Sequence, residues 1–128
     1  MKDVNSLNVL ALAYIGDAVY EIYVRDYLLS KNIVKVKELQ ANSVKYVSAK
    51  AQSKILEEML DENFFTEDEI AIIKRARNNK GKSHPKNTDI ITYKYATGME
   101  ALVGYHHLAG NKQREKEIMN YVIKHGGN

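Results

Sequence analysis

The chain has 128 residues, 45% hydrophobic and 27% charged, with one Pro, seven Gly and no Cys. A chain of this size buries roughly two thirds of its unfolded surface, so its core needs no disulfide staple; disulfide frameworks and cysteine zinc sites are excluded. Net charge is only +3, but Lys74, Arg75, Arg77, Lys80, Lys82 and Lys86 form one acid-free run with His84; taking these six from the 19 Lys and Arg leaves 13 against 16 Asp and Glu elsewhere. A mildly acidic body carrying one basic segment suits a polyanion-binding surface.

Asp17, Glu21 and Arg25 interrupt the longest apolar stretches, so none approaches the roughly 18 apolar residues of a membrane span. The start, Met1-Lys2-Asp3-Val4-Asn5, lacks the pattern of a signal peptide. The expectation is a cytoplasmic protein with a single domain over residues 1–128.

Apolar periodicity predicts an all-α fold of six to seven helices. Asn5 or Ser6 caps a first segment, Leu7 to Ala13, leading into Tyr14 to Leu29 with Ile15, Ala18, Val19, Ile22 and Leu29 as core residues. A short helix is expected around Val36 to Ala41, then one capped by Ser43 and running through Tyr46, Val47, Ala51, Ile55 and Leu60 to a stop at Asn63. Thr66 with Glu69 reads as a capping box opening Glu67 to about Arg77, with Ile70, Ile73 and Ala76 inward. The basic loop Asn78 to Asn87, broken by Gly81 and Pro85, follows. Thr88 or Asp89 caps a helix to about Leu108, Ala109-Gly110-Asn111 stops it, and a last helix spans about Lys112 to Lys124.

Two carboxylates stand out. Asp17 follows Gly16 within Ala13-Tyr14-Ile15-Gly16-Asp17-Ala18-Val19, and Glu100 lies within Ala96-Thr97-Gly98-Met99-Glu100-Ala101-Leu102-Val103-Gly104. A buried carboxylate needs a cation or metal partner. Gly98 and Gly104 each cost about 1 kcal/mol of helix propensity, for which close helix approach is the usual reason. Helices crossing there would bring Asp17 and Glu100 together, either as ordinary ion-pair partners of Lys or Arg or as a site for hydrated Mg2+. With the basic loop gripping phosphates, such a site describes phosphodiester hydrolysis. His84, His106, His107 and His125 show no acid-base partner at a readable spacing, and the adjacent His106 and His107 are taken as ordinary helix residues; no glycine loop of the phosphate-cradling kind is present.

The stretch ALAYIGDAVYE resembles the signature helix of the ribonuclease III family, and GMEALVGY its second acidic motif. VSAKAQSKIL, FFTEDE, KRARN, PKNTD and TYKYAT extend the resemblance over nearly the whole chain, in particular to mini-ribonuclease III, the short bacterial branch made of the catalytic domain alone. The resemblance implies a homodimeric, all-helical, Mg2+-dependent endoribonuclease that cuts double-stranded RNA to 5′-phosphate and 3′-hydroxyl ends, with precursor 23S ribosomal RNA as substrate. It further implies Asp17 and Glu100 as catalytic and metal-binding residues, Lys74, Arg75, Arg77, Lys80, Lys82 and Lys86 as RNA-binding residues, and no double-stranded RNA-binding domain. A ribosomal protein on the precursor would help to select it. The chain departs from the longer enzymes at two positions: Leu10 stands where they carry Glu, and Thr97 where they carry Asp. Those losses leave an alternative, a catalytically silent RNA-binding or ribosome-assembly protein.

Overall fold

The computed structural model describes residues 3–79 and 89–127. A 3-10 turn, Val4–Ser6, precedes six helices: α1 Val9–Ser30, α2 Val36–Val47, α3 Ala49–Asp61, α4 Glu67–Arg77, α5 Ile90–Ala109 and α6 Lys112–His125. No strand occurs among the described residues. The basic residues Lys80, Lys82 and Lys86, with Gly81, His84 and Pro85, lie outside the described residues.

Local chemistry sets most helix ends. Thr66 and Glu69 form the expected capping box, each side chain accepting from the other's backbone N–H, at 3.2 and 2.9 Å. The Asp89 side chain accepts from Ile91 N and opens α5, which Gly110 closes at φ 77°. Asn63, at φ 55°, ends the turn after α3. Two expected boundaries move. The first two segments are one helix, capped by Asn8 rather than by Asn5 or Ser6. The helix expected from Ser43 starts at Ser48 instead: α2 continues through Ser43 to Val47, and Ser48, in extended conformation, is the C-cap of α2 and the N-cap of α3. Ser43 donates its hydroxyl to Gln40 O within α2, which is compatible with a helix interior.

The hydrophobic helix α5 is the centre of the fold, contacted by α1, α3, α4 and α6, most extensively by α1. Leu12, Tyr20 and Val24 of α1, Leu56 and Met59 of α3, Met99, Leu102 and Val103 of α5 and Ile118, Met119 and Val122 of α6 are fully buried. Each contributes about 1.5–3 kcal/mol by leaving water. Tyr20 donates its hydroxyl to Tyr46 O at 2.7 Å, tying α1 to the end of α2.

The inward face of α1 differs from the expected one. Val19 is buried and Ile15 half-buried, but Ala18, Ile22 and Leu29 are exposed, as is Tyr14 at 83%. The buried row Leu12, Gly16, Tyr20, Val24 and Leu28 lies two residues, or about 200°, round the helix from Tyr14, Ala18 and Ile22. Because α1 is apolar on both sides, periodicity alone could not choose the side that meets α5.

Candidate active site

The site begins with glycines that let two backbones touch. A Cβ on Gly16 would overlap the Glu100 carbonyl and lie 2.9 Å from Gly104 N; one on Gly104 would overlap the Leu12 carbonyl and lie 3.0 Å from Gly16 N. Gly16 and Gly104 are therefore the crossing point of α1 and α5. Gly98 has a different neighbour than expected: it faces Ile73 of α4, whose side chain would stand 3.2 Å from a Cβ there.

This crossing places the two candidate carboxylates. Gly16 rests on the backbone of Glu100, so Asp17 and Glu100 leave the crossing from adjoining positions on two helices. Asp17 is exposed rather than buried, and among the described residues its side chain has no hydrogen bond or ion pair. The expected alternative of a Lys or Arg partner from another helix is thus not seen there. Glu100 is half-buried. Beneath it, burial and then the charge of Glu100 push the Tyr20 phenol well above its ordinary range, so Tyr20 stays neutral and donates to Tyr46 O. Glu21, one turn after Asp17, pairs with Arg25 at 3.0 Å on the surface.

Asp17 and Glu100 are the residues at this crossing that could hold a divalent cation; a hydrated Mg2+ keeps several waters and binds through one or two carboxylates plus substrate phosphate. No cluster of three or more His, Asp or Glu able to hold a metal occurs among the described residues. Leu10 and Thr97 explain the small donor set. Both line one cleft, with Ala76, Asn79, Ile90, Tyr93 and Lys94, and neither carries charge. Thr97 is buried and donates its hydroxyl to Tyr93 O at 2.9 Å.

Of the basic run, Lys74 and Arg75 are exposed and Arg77 is half-buried. Arg75 reaches the Leu7 carbonyl at 3.5 Å, and the Arg77 guanidinium lies 5.9 Å from the Tyr95 ring centroid. Both interactions hold the end of α4 against neighbouring elements while leaving Arg75 open to solvent.

The histidines of α5 are not ordinary residues. Buried His106 bonds Glu69 through Nε2 at 2.7 Å and Asn111 through Nδ1 at 3.1 Å. Arg114 grips both oxygens of Glu69 at 2.7 Å and also donates to Phe64 O at 2.8 Å. His107 pairs with Glu115, which also accepts from Tyr23. These partners are distant in the chain, apart from Asn111 and Glu115, and no spacing rule points to them. Burial pushes the Glu69 carboxyl up, but hydrogen bonds from Arg114, His106 and the Thr66 backbone outweigh it and hold the group well below its usual 4.5. A depressed carboxylate pKa stabilises the fold above about pH 4.5, and that stability is lost as pH falls below it. Arg114→Met should cost about 3 kcal/mol at neutral pH by stranding Glu69. In urea melts the gap from the parent protein should narrow by about pH 3; a gap independent of pH would mean poorer packing rather than a broken charge pair.

Residues 10–111 match the model of the ribonuclease III domain. A protein from Enterococcus faecalis named Mini-ribonuclease 3 is 48% identical over 127 residues, covering 99% of this chain and 96% of its own. Mini-ribonuclease 3 of Streptococcus pneumoniae is 43% identical, covering 97% of each chain. The crystal structure of a Fusobacterium nucleatum protein superposes with a TM-score of 0.84 at 34% identity, covering 97% of this chain and 98% of that one.

Proposed function

The chain belongs to the ribonuclease III family, and from that premise we infer that it is an endoribonuclease of double-stranded RNA. The observation that carries the reading is the backbone contact of Gly16 with Glu100, which puts Asp17 and Glu100 at one helix crossing. Asp17 and Glu100 are the proposed catalytic and metal-holding residues, with Mg2+ as the metal. When bound, the ion would lower the pKa of a water and offset charge at the phosphate. Asp17 and Glu100 would hold the ion, and Tyr20, kept neutral by burial and by the charge of Glu100, offers no competing negative charge. Water attacks phosphorus, the bond to the 3′-oxygen breaks, and that oxygen takes a proton, giving 5′-phosphate and 3′-hydroxyl ends.

The proposed active form is a homodimer. Tyr14, Ala18, Ile22 and Leu29 form an exposed stripe along α1, and Val36 and Val44 add exposed apolar surface on α2. A second copy of the chain would bury that stripe and set one site against each RNA strand. The proposed natural substrate is the paired ends of precursor 23S ribosomal RNA in the cytoplasm. A-form RNA offers shape, phosphates and 2′-hydroxyls more than readable base edges, so a ribosomal protein bound to the precursor is the proposed source of selectivity. No described helix is long and apolar enough to cross a membrane.

The test is incubation of the purified protein with a labelled duplex copied from those paired ends, with Mg2+ or with chelator. Cutting that needs the metal supports the reading; tight binding without cutting would make the protein a silent duplex-binding module. Lys74, Arg75, Arg77, Lys80, Lys82 and Lys86 are the proposed RNA-binding residues. Replacing Arg75, Arg77, Lys80 and Lys82 by Ala should weaken binding and flatten the plot of log affinity against log salt by about one unit of slope for each phosphate no longer neutralised. An unaltered slope would place the RNA elsewhere on the protein.

A further inference from the structure

Lys94 is half-buried on α5, in the cleft shared by Leu10, Asn79, Tyr93 and Thr97. Its ammonium has no hydrogen bond or ion pair among the described residues. The remaining residues, 1–2, 80–88 and 128, contain no Asp or Glu side chain that could supply one. The cleft lining also lacks a carboxylate. A partly desolvated cation facing no anion is unfavourable, and an anionic ligand would reverse that.

Position identifies the anion. Thr97 is three residues after Lys94 and three before Glu100, and residues three apart on a helix are neighbours. Six residues of helix put Lys94 about 9 Å along α5 from Glu100. The cleft also contains Asn79, which lies within the basic run, and Ile90, which opens α5. Lys94 thus lies on α5 between Ile90, the first residue of the helix, and Glu100. We propose that Lys94 binds the substrate phosphate next to the one that is cleaved, supplying positive charge where Leu10 and Thr97 leave the site with few metal ligands. The inference rests on the nuclease reading for its geometry but is tested by binding alone.

The bland role for such a lysine is to cover apolar surface with its stem, and Lys94→Met retains the stem while removing the charge. Duplex binding, measured by fluorescence anisotropy in chelator over a range of salt, should weaken about tenfold in Lys94→Met, with a slope smaller by about one. Lys94→Arg should stay near the parent, and the thermal midpoint of both variants should be unchanged. In Mg2+, Lys94→Met should raise KM about tenfold and alter kcat much less. Unchanged affinity and slope in Lys94→Met would overturn the proposal, as would equal losses in the Met and Arg variants accompanied by a lower thermal midpoint. If the parent binds the duplex without cutting it, the nuclease reading fails while the binding comparison still decides the role of Lys94; no duplex binding by the parent overturns both.

Discussion

Asp17→Asn should lower the rate of duplex cleavage by roughly 10³-fold or more while leaving the fold and RNA affinity nearly intact. The expectation is this clean because Asp17 is exposed and its side chain has no hydrogen bond or ion pair among the described residues. Surface substitutions of that kind usually shift stability by no more than about 0.5 kcal/mol. The amide keeps the shape of the carboxylate but loses the charge that holds a divalent cation, so the deficit should be greatest at low Mg2+ and should not be relieved by more RNA. Glu100→Gln should behave similarly in rate. Mixing Asp17→Asn subunits with parent subunits adds a second readout: if each subunit cuts one strand, mixed dimers should leave nicks in a duplex labelled on both strands. Retention of parental rates in Asp17→Asn would remove this residue from the chemistry.

Gly104→Ala should destabilise the protein by about 4 kcal/mol or more, with Gly16→Ala comparable. The new methyl group would overlap the Leu12 carbonyl in the first case and the Glu100 carbonyl in the second. Neither obstacle is the flexible end of a side chain. Relief requires α1 and α5 to separate along their whole packed length, exposing Leu12, Tyr20, Met99 and Leu102. Ordinary overpacking, which side chains can partly absorb, costs about 1–3 kcal/mol. Chemical denaturation should show a lower midpoint, and any folded fraction should cut poorly because the two carboxylates are set by the same crossing. Gly110→Ala is the contrast: there the difficulty is the positive φ, with nothing within 4 Å, so the loss should be about 1 kcal/mol.

Local signals were readable where one short segment contains both partners. The Thr66 and Glu69 capping box, Asp89 opening α5, and Gly110 closing it all depend on groups within four residues of one another. Ser48 was not legible as a cap because Ser43 is an equally good one by composition, and α2, packed against α1, runs past it. His106 is the larger omission. Its partner Glu69 is 37 residues away, and the Arg114 that completes the network is 45 from Glu69.

Asp17 and Glu100 were legible by themselves as carboxylates among small and apolar neighbours, and the motifs around them carried the resemblance to ribonuclease III. The all-helical fold, the Thr66 and Glu69 capping box, the stop at Gly110 and the concentration of positive charge between Lys74 and Lys86 likewise belong to the sequence alone, since each is a matter of residue type and short spacing. Only the tertiary structure decided which glycines meet. Gly16 and Gly104 are 88 positions apart and touch because α1 and α5 have no Cβ to hold them off, whereas Gly98 turns to α4. It also decided which side of the doubly apolar α1 is buried, leaving Tyr14 and Ile22 exposed, because side chains of similar hydropathy are sorted by the shape of the helix they meet.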